Sequence, residues 1–329
     1  MFNDIGVIAI GRNEGSRLRA CLKSAMRDAK YVVYVDSGST DDSVSMANQL
    51  GAEVVSLDMS KPFSAARGRN AGFQRLTQWV PQIKYAQFVD GDCEIAAGWL
   101  AYGRDVLESD PQKGAVCGRR RERHPEASVF NRICDIEWDT PIGETRACGG
   151  DAIIRCEALS SVGGYNDQVI AAEDDEVCVR MRQKGWTLHR LDQEMTLHDA
   201  NMHTIGQWWK RAVRCGHGYA QGFAMHGASP ERHFVKPLRS VLFWGGVLPF
   251  LAIVFCWPSH AISLLFLAAA YGILWLKTTR SVMRRGLPIK QSMVYATSCV
   301  FSKIPELLGA SKYFWRRITR SNTQIIEYK

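Results

Sequence analysis

A run of 37 residues without a charged side chain, Ser240–Leu276, constrains the fold of this chain more than any other feature. One membrane-spanning helix needs about 20 apolar residues, so the run is too long for one span and nearly long enough for two. Pro258 interrupts it near the middle, and proline disfavours helix at its own position and in the residue before it. The run therefore predicts a helical hairpin, about Leu238–Trp257 and Ser259–Leu276. The alternative is a buried helix pair of a soluble protein, although core helices rarely stay uncharged for so long.

The charge of the chain is divided unevenly between its two ends. The net charge is +8 over 329 residues, but Lys236–Lys329 carries +11 and Met1–Val235 carries −3. A basic segment after a mildly acidic one suits a membrane surface better than a nucleic acid, so no nucleic-acid partner is expected. Basic residues flank the hairpin on both sides, which predicts that both of its ends lie in the cytoplasm. We therefore expect the globular part at the cytoplasmic face of the inner membrane.

The segment that follows the hairpin has a mixed character. Apolar side chains recur at helical spacing between Met293 and Leu308, but Lys303, Pro305 and Glu306 argue against a third span. A helix lying in the membrane interface fits this pattern better. Aromatic residues lie beside basic ones in KYFWRRITR (312–320), which suits an anionic headgroup layer or equally a solvated tail.

The first part of the chain alternates strand and helix patterns. Short apolar runs at 5–10, 31–36, 52–57 and 85–90 predict strands, and amphipathic segments between them predict helices. This alternation indicates an α/β fold with a mixed, mostly parallel sheet flanked by helices. Ligands bind at the carboxyl ends of such strands. The polar residues predicted to lie at that edge are Arg12, Asn13, Glu14, Asp36, Asp90 and Asp92.

Cysteine usage and the beginning of the chain indicate a reducing compartment. The ten Cys form no C-x-x-C pair and no regular spacing, which argues against zinc ribbons, redox dithiols and a secreted disulfide framework. Residues 1–20 contain no basic start followed by an apolar run, so we expect no signal peptide. Residues 120–147 form a long polar stretch with little periodicity, and loops of that length inside a domain are usually functional.

Five ordered motifs in this part of the chain resemble those of one enzyme family. They are VIAIGRNEGSRLRACLKS (7–24), VVYVDSGSTDDS (32–43), SAARGRNAGF (64–73), VDGD (89–92) and AEDDEVCVRMRQKGW (172–186). Together they resemble the family 2 glycosyltransferases of GT-A fold, inverting enzymes that use nucleotide-activated sugars. With the charge division, the resemblance predicts a catalytic domain at 1–235, a transmembrane hairpin at 236–279 and a basic amphipathic interfacial tail at 280–329.

The resemblance implies a divalent metal at Asp90-Gly91-Asp92, which is similar to the DxD motif of the family. Sugar transfer leaves charge on a departing nucleoside diphosphate, and Mg²⁺ or Mn²⁺ neutralises it as a Lewis acid held by carboxylates. We assign Asp92 to the metal and Asp90 to the ribose or the metal, with Gly91 giving room for the nucleotide. His198 is a further candidate ligand. The alternatives are an ordinary acidic turn and a structural histidine.

Asp174 matches the position of the family's catalytic base. A base must take the proton of the acceptor hydroxyl on the side opposite the leaving group. The acidic neighbours of Asp174 are expected to raise its pKa. The alternative is an acidic helix N-terminus favoured by the helix dipole, and both roles are compatible.

The resemblance also implies contacts to the rest of the substrates. Donor-sugar or acceptor contacts are expected at Gly150, Asp151 and Glu173, and diphosphate contacts at Arg211 and Arg214. A bare turn is the alternative for the first set, and docking on the membrane for the second. The run Arg119–Arg123 is either a site for a phosphorylated acceptor or a solvated basic edge. The residues expected to hold the nucleotide and its sugar are Arg12, Asn13, Glu14, Asp36, Arg69, Asn70, Asp90 and Gly91.

The expected function is inverting transfer of a hexose from a nucleotide sugar to an acceptor hydroxyl. The resemblance to the family implies UDP as the nucleotide. The acceptor is expected to be a lipid-linked or other glycan at the cytoplasmic membrane face, in cell-surface polysaccharide or glycolipid synthesis. A polyprenyl-phosphate glycosyltransferase, whose acceptor phosphate needs no base, is the first alternative. A catalytically silent membrane scaffold is the second.

Overall fold

The computed structural model describes residues 1–319 and divides the chain into two compact units. The first unit comprises Met1–Pro125 and Glu137–Asn201, and the second comprises Glu126–Ile136 and the chain from Met202 onward. Residues 320–329, the end of the predicted interfacial tail, lie outside the described residues.

The elements follow one another in nearly the order that the sequence predicts. The strands are β1 (Phe2–Gly11), β2 (Ala29–Asp36), β3 (Glu53–Ser56), β4 (Tyr85–Asp90), β5 (Cys93–Ile95), β6 (Lys113–Glu122), β7 (Gly143–Glu144), β8 (Ala152–Arg155) and β9 (Thr187–His198). The helices are α1 (Ser16–Asp28), α2 (Ser43–Leu50), α3 (Ala65–Trp79), α4 (Trp99–Ser109), α5 (Val129–Glu137), α6 (Cys156–Ser161), α7 (Glu173–Gln183), α8 (Ile205–His226), α9 (Val235–Val241), α10 (Leu248–Val254), α11 (Ile262–Met283), α12 (Ile289–Phe301) and α13 (Lys303–Thr319).

Among residues 1–319, the strands form one mixed sheet in the order β3-β2-β1-β4-β8-β6-β9-β5, with β7 paired to β9. The first four strands of this order are parallel, whereas β8 runs antiparallel to both β4 and β6. The predicted α/β class with a mixed sheet and flanking helices is confirmed. Parallel pairing aligns Gly11 with Asp36 and Ile10 with Asp90, so the carboxyl ends of β1, β2 and β4 meet at one edge.

Close packing of α3 against the sheet depends on glycine. A Cβ at Gly72 would overlap the Ile8 side chain and lie 2.9 Å from Val35 Cγ2, whereas one at Gly68 would make an ordinary 3.4 Å contact with Ile10. The helix therefore rests almost directly on β1 and β2. This packing positions the side chains of α3 at the polar edge of the sheet.

The long polar stretch at 120–147 is not an irregular loop throughout. It contains the end of β6, the helix α5 and the short strand β7. Helix α5 buries Ile133, Cys134 and Ile136, a pattern that the surrounding polar residues concealed. The expectation of a structureless segment was therefore wrong for these residues.

The second unit contains the predicted apolar hairpin. Helix α9, a π-helical stretch at Leu242–Val247 and α10 form one continuous helix over Val235–Val254, and α11 follows after a turn that contains Pro258. Ser263 Oγ donates to the carbonyl oxygen of Ala252 at 2.7 Å, which ties the two helices together. Both helices are long and apolar enough to cross a membrane.

Two helices, rather than one, follow the hairpin. Helix α13 approaches α8 so closely that a Cβ on Gly309 would overlap the carbonyl oxygen of Val213, and one on Gly216 that of Glu306. Small residues permit this backbone approach, and the α13 residues Pro305 and Ala310 are buried. At least this part of the predicted interfacial segment packs against protein.

We expect Gly72→Ala to destabilise the chain by about 1–3 kcal/mol, because the added methyl overpacks the contact with β1 and β2. This loss occurs although alanine favours helix over glycine by about 1 kcal/mol. Gly68→Ala on the same helix is the matched control and should be neutral or stabilising. Thermal unfolding in detergent followed by circular dichroism measures both, and equal stability of the two variants would contradict the packing argument.

Candidate active site

Asp36 ends β2 and shapes the loop that follows it. Its Oδ2 accepts hydrogen bonds from the backbone N–H groups of Gly38 at 3.0 Å and Ser39 at 2.9 Å. Its Oδ1 accepts one from the Tyr34 hydroxyl at 2.9 Å. The carboxylate is buried, so these bonds determine the course of the loop at the polar edge.

Asn13 joins the loop after β1 to the loop after β2. Its Oδ1 accepts a hydrogen bond from Thr40 N–H at 2.7 Å, and its own N–H donates to Ser39 Oγ at 2.9 Å. Its φ of 56° is left-handed, a conformation that asparagine tolerates better than most residues. Glu14 pairs with Arg17 at 2.7 Å, and Arg12 is exposed beside them.

Arg69 connects two of the motifs through ion pairs. Its side chain is 3% exposed; Nη2 lies 3.0 Å from Asp90 Oδ1 and Nη1 lies 2.5 Å from Glu173 Oε1. Burial lowers the pKa of the Arg69 guanidinium, but the charges of Glu173 and Asp90 outweigh this and raise the pKa above its usual value. Arg69 therefore holds the end of β4 and the start of α7 around one charge.

Arg120, on β6, pairs with the other carboxylate oxygen of Asp90. Its Nη2 lies 3.2 Å from Asp90 Oδ2, and its Nε lies 3.4 Å from Asp151 Oδ2. Burial lowers the pKa of Arg120, and the nearby Asp151 and Asp90 charges raise it well above the usual value. Arg120 is thus not part of a solvated basic edge.

Asp151 is buried and acts as a bracket beneath Asp90. Its Oδ1 accepts a hydrogen bond from the Asp90 N–H at 3.2 Å, and its Oδ2 accepts one from Thr196 Oγ1 at 2.7 Å. The carboxylate therefore joins β4 to β9. In this arrangement Asp151 positions Asp90.

Asp92 and His198 lie together in the interior. His198 Nε2 is 3.3 Å from Asp92 Oδ2, and His198 Nδ1 is 3.6 Å from Glu122 Oε2. Trp138 packs edge-on against the imidazole, with ring centroids 4.6 Å apart. Burial and the charge of Arg120 lower the pKa of His198, so the ring is neutral near pH 7 and keeps a nitrogen lone pair.

The donor set around Asp92 fits a divalent cation. Single ligand atoms of Asp92, Cys93 and His198 lie within 4.8 Å of one another, and a second such group comprises Asp90, Cys93 and Asp151. Carboxylate oxygens and a neutral imidazole are suitable ligands for Mn²⁺, and carboxylates alone for Mg²⁺. Burial raises the pKa of the Cys93 thiol, which keeps it protonated and makes it the weakest donor of the set.

Gly91 lets two loops approach closely. Its N–H donates to the carbonyl oxygen of Ile10 at 2.8 Å, and a Cβ would lie 3.2 Å from that oxygen. A larger residue would push the turn between Asp90 and Asp92 away from β1. The glycine thus keeps both carboxylates at the edge where the β1 loop also ends.

Asp174 lies in the first turn of α7, facing the segment that contains Gly149 and Gly150. A Cβ on Gly149 would lie 3.8 Å from Asp174 Oδ2, and one on Gly150 would lie 3.6 Å from Asp90 Oδ2. Burial and the neighbouring Glu173 charge raise the pKa of Asp174 to about 6, although Arg69 opposes them. Asp90 and Asp174 therefore each lie close to one residue of a glycine pair.

Asn70 holds the loop that leads towards α7. Its Nδ2 donates to the carbonyl oxygen of Tyr165 at 2.8 Å and to Asp167 Oδ1 at 2.7 Å, and its Oδ1 accepts from Tyr165 N–H at 2.8 Å. All of its polar atoms are used inside the protein. Asn70 therefore supports the site from behind.

Arg211 and Arg214 belong to α8 in the second unit, whereas the carboxylates above belong to the first. Their contact with a diphosphate stays a prediction. Sequence reasoning did not single out Cys93, Glu122 or Trp138, and it left Arg120 inside a basic run. Side chains alternate between the two faces of a strand, so Arg120 and Glu122, two residues apart in β6, lie on the same face. This alternation is the sequence signal that could have identified both as site residues.

Comparison with known proteins finds relatives of similar sequence. Residues 7–159 match the family model described as Glycosyl transferase family 2. The succinoglycan biosynthesis protein ExoA of Rhizobium meliloti (strain 1021) is 26% identical over 259 residues, which cover 72% of this chain and 78% of that protein. The beta-monoglucosyldiacylglycerol synthase of Nostoc sp. is 20% identical over 65% of this chain and 49% of its own length.

Solved structures share the fold. A mannosyltransferase from Pyrobaculum calidifontis, in complex with GDP-Man and Mn²⁺, aligns with a TM-score of 0.60 and 18% identity over 95% of this chain and 88% of its own. A glucosyl-3-phosphoglycerate synthase from Mycobacterium tuberculosis, with Mn²⁺, UDP-glucose and glycerol 3-phosphate, aligns with a TM-score of 0.51 and 14% identity over 68% of this chain and 80% of its own. Residues 7–159 thus match glycosyl transferase family 2, and the mixed α/β sheet with flanking helices has the GT-A fold of these solved structures.

Proposed function

We propose that this protein is a membrane-anchored, metal-dependent inverting hexosyltransferase that uses a UDP-linked sugar and a lipid-linked acceptor. The observation that carries the proposal is the pair of ion bonds from Arg69 to Asp90 at 3.0 Å and to Glu173 at 2.5 Å. They bring the two acidic motifs, far apart in the chain, to one guanidinium. A leaving diphosphate and an attacking hydroxyl need such opposed groups, one on either side of the sugar.

The metal-binding side of the cleft is proposed at Asp92, with Asp90 and His198 beside it. A bound Mg²⁺ or Mn²⁺ supplies Lewis-acid stabilisation of the diphosphate leaving group. Glu122, 3.6 Å from His198 Nδ1, orients the imidazole so that Nε2 faces Asp92. Arg12, Asn13, Glu14, Asp36 and Gly91 would lie along the nucleoside, with the two loops held in register by Asn13 and Asp36.

Asp174 is the proposed base. Its pKa of about 6 leaves the carboxylate mostly ionised at pH 7, yet basic enough to accept the proton of the acceptor hydroxyl. Glu173 balances the charge of Arg69 in an ion pair, and its own negative charge raises the pKa of Asp174. Gly149 and Gly150 let Asp174 and the Arg69 guanidinium approach their backbone, since a Cβ on Gly150 would lie 2.6 Å from Arg69 Nη2. We place the donor sugar beside this segment, and Asp151 supports Asp90 from beneath.

The membrane and substrate assignments rest on composition and on relatives. The two apolar helices and the basic residues around them support a hairpin at 236–279 that anchors a cytoplasmic catalytic domain, 1–235, at the inner membrane, with 280–329 at its surface. The resemblance to ExoA supports a role in polysaccharide synthesis. UDP is proposed as the carrier because the UDP-glucose-bound synthase shares the fold, although the GDP-Man-bound enzyme does too.

We expect a nucleoside diphosphate with Mn²⁺ to raise the unfolding temperature of the wild-type chain, and Asp92→Asn to abolish that shift. Loss of a carboxylate ligand should also lower sugar transfer by at least about 100-fold. Asp105→Asn, at a side chain 72% exposed, is the control. A panel of UDP, GDP and dTDP with their sugars identifies the carrier, and no shift with any of them would support a silent scaffold.

We expect Asp174→Asn to lower sugar transfer by about 10²–10⁴-fold, because the amide cannot accept the proton of the hydroxyl. The nucleotide-dependent thermal shift should remain, since Asp174 is not one of the proposed metal ligands. Asp175→Asn, one residue further along α7, is the matched control and should retain transfer. Retention of transfer by Asp174→Asn would instead favour an acceptor phosphate, as in a polyprenyl-phosphate glycosyltransferase.

The pH dependence of turnover tests the same group in the unaltered protein. Because only ionised Asp174 can act as a base, kcat should be constant above its pKa of about 6 and fall as the pH drops below it. The decline should approach about tenfold for each pH unit. Initial rates measured at saturating donor between pH 4.5 and 8 check this, and a midpoint near the ordinary aspartate value would contradict the assignment.

A further inference from the structure

An apolar cavity of about 630 Å³ lies within the second unit, among α5, α8, α11 and α12. A volume of this size is typical of small-molecule sites. The residues that line it are Val129, Phe130, Ile133, Ile205, Trp208, Trp275, Lys290, Met293, Val294, Thr297, Ser298 and Phe301.

The polar atoms of the wall are already used within the protein. Trp208 Nε1 donates to Ser298 Oγ at 3.0 Å, and Trp275 Nε1 donates to Thr297 Oγ1 at 3.0 Å. The two indole N–H groups are therefore hydrogen-bonded to the two hydroxyls, and the cavity is lined mainly by carbon atoms. Lys290 supplies the only charged side chain among the described lining residues, and it is exposed. The cavity thus offers hydrocarbon contacts with one cation at its edge.

The position of the cavity along α11 connects it with the predicted membrane surface. Trp275 lies near the end of this candidate span, two residues before Lys277, where aromatic and basic side chains characterise the headgroup level. The wall also includes strongly exposed apolar residues, Phe301 at 61% and Ile205 at 69%. Such exposure is costly in water but not beside a bilayer.

We propose that this cavity binds the hydrocarbon chain of a phosphorylated lipid and that the lipid phosphate pairs with the Lys290 ammonium. The bilayer supplies the chain, the satisfied indoles exclude polar groups, and the cation selects an anionic headgroup over a neutral one. The claim that this lipid carries the sugar acceptor rests on the proposed function. The claim that a phosphorylated lipid binds here rests on the cavity alone.

The test is photo-crosslinking of the full chain in phosphatidylcholine nanodiscs doped with a long-chain isoprenyl phosphate that carries a diazirine on its chain. Crosslinked peptides identified by mass spectrometry should come from α12 and from the facing segments of α5 and α8. Val294→Trp fills the cavity and should remove most of the labelling, whereas Ile289→Trp, exposed on the same helix and outside the lining, should not. Label confined to the apolar face of α11, or equal label in the two variants, would overturn the proposal.

The headgroup is tested separately. Lys290→Gln should lower the labelling yield by about fivefold, and Lys277→Gln, an exposed lysine outside the lining, should leave it unchanged. Unlabelled isoprenyl phosphate should compete better than the corresponding alcohol, and equal competition would refute the ion pair. Nucleotide-dependent thermal stabilisation of the wild-type chain reports on the donor site alone. Labelling of the cavity without any such stabilisation would refute the proposed function and leave the lipid site standing.

Discussion

The buried guanidinium of Arg69 is the interaction on which the rest of the candidate site depends. A charge that is almost fully removed from water is costly unless it is paired, and here Asp90 and Glu173 pair it from two directions. The pairing forces the end of β4 and the start of α7 into one place. The raised pKa of Asp174 follows from the same arrangement, because the helix turn that brings Glu173 to Arg69 also buries its neighbour.

Charge balance extends from this pair through the sheet. Arg120 lies as a cation between Asp90 and Asp151, whereas the neutral His198 ring lies between Asp92 and Glu122 without adding charge. The Arg120 charge and the hydrogen-bond donors beside these carboxylates offset part of the free-energy cost of burying them.

The second unit has the opposite chemistry. Its cavity is lined with carbon because two indole N–H groups are bonded to hydroxyls of α12, and its helices expose apolar residues at a density that a bilayer can cover. The first unit thus concentrates paired charged side chains, whereas the second concentrates apolar surface.

Local sequence patterns determined the secondary structure and the identity of the acidic motifs. The alternation of apolar runs and helices predicted β1 to β4, and the charge-free segment predicted the hairpin, because burial and hydropathy act within a few residues. The polar stretch at 120–147 concealed α5 for the same reason, since its apolar face is short. Only the tertiary structure decided that Arg120 pairs with Asp90, that Glu122 lies behind His198, and that Asn70 and Asp151 support the site from within. These roles depend on contacts between residues far apart in the chain. A local sequence pattern cannot predict which strands are neighbours in the sheet.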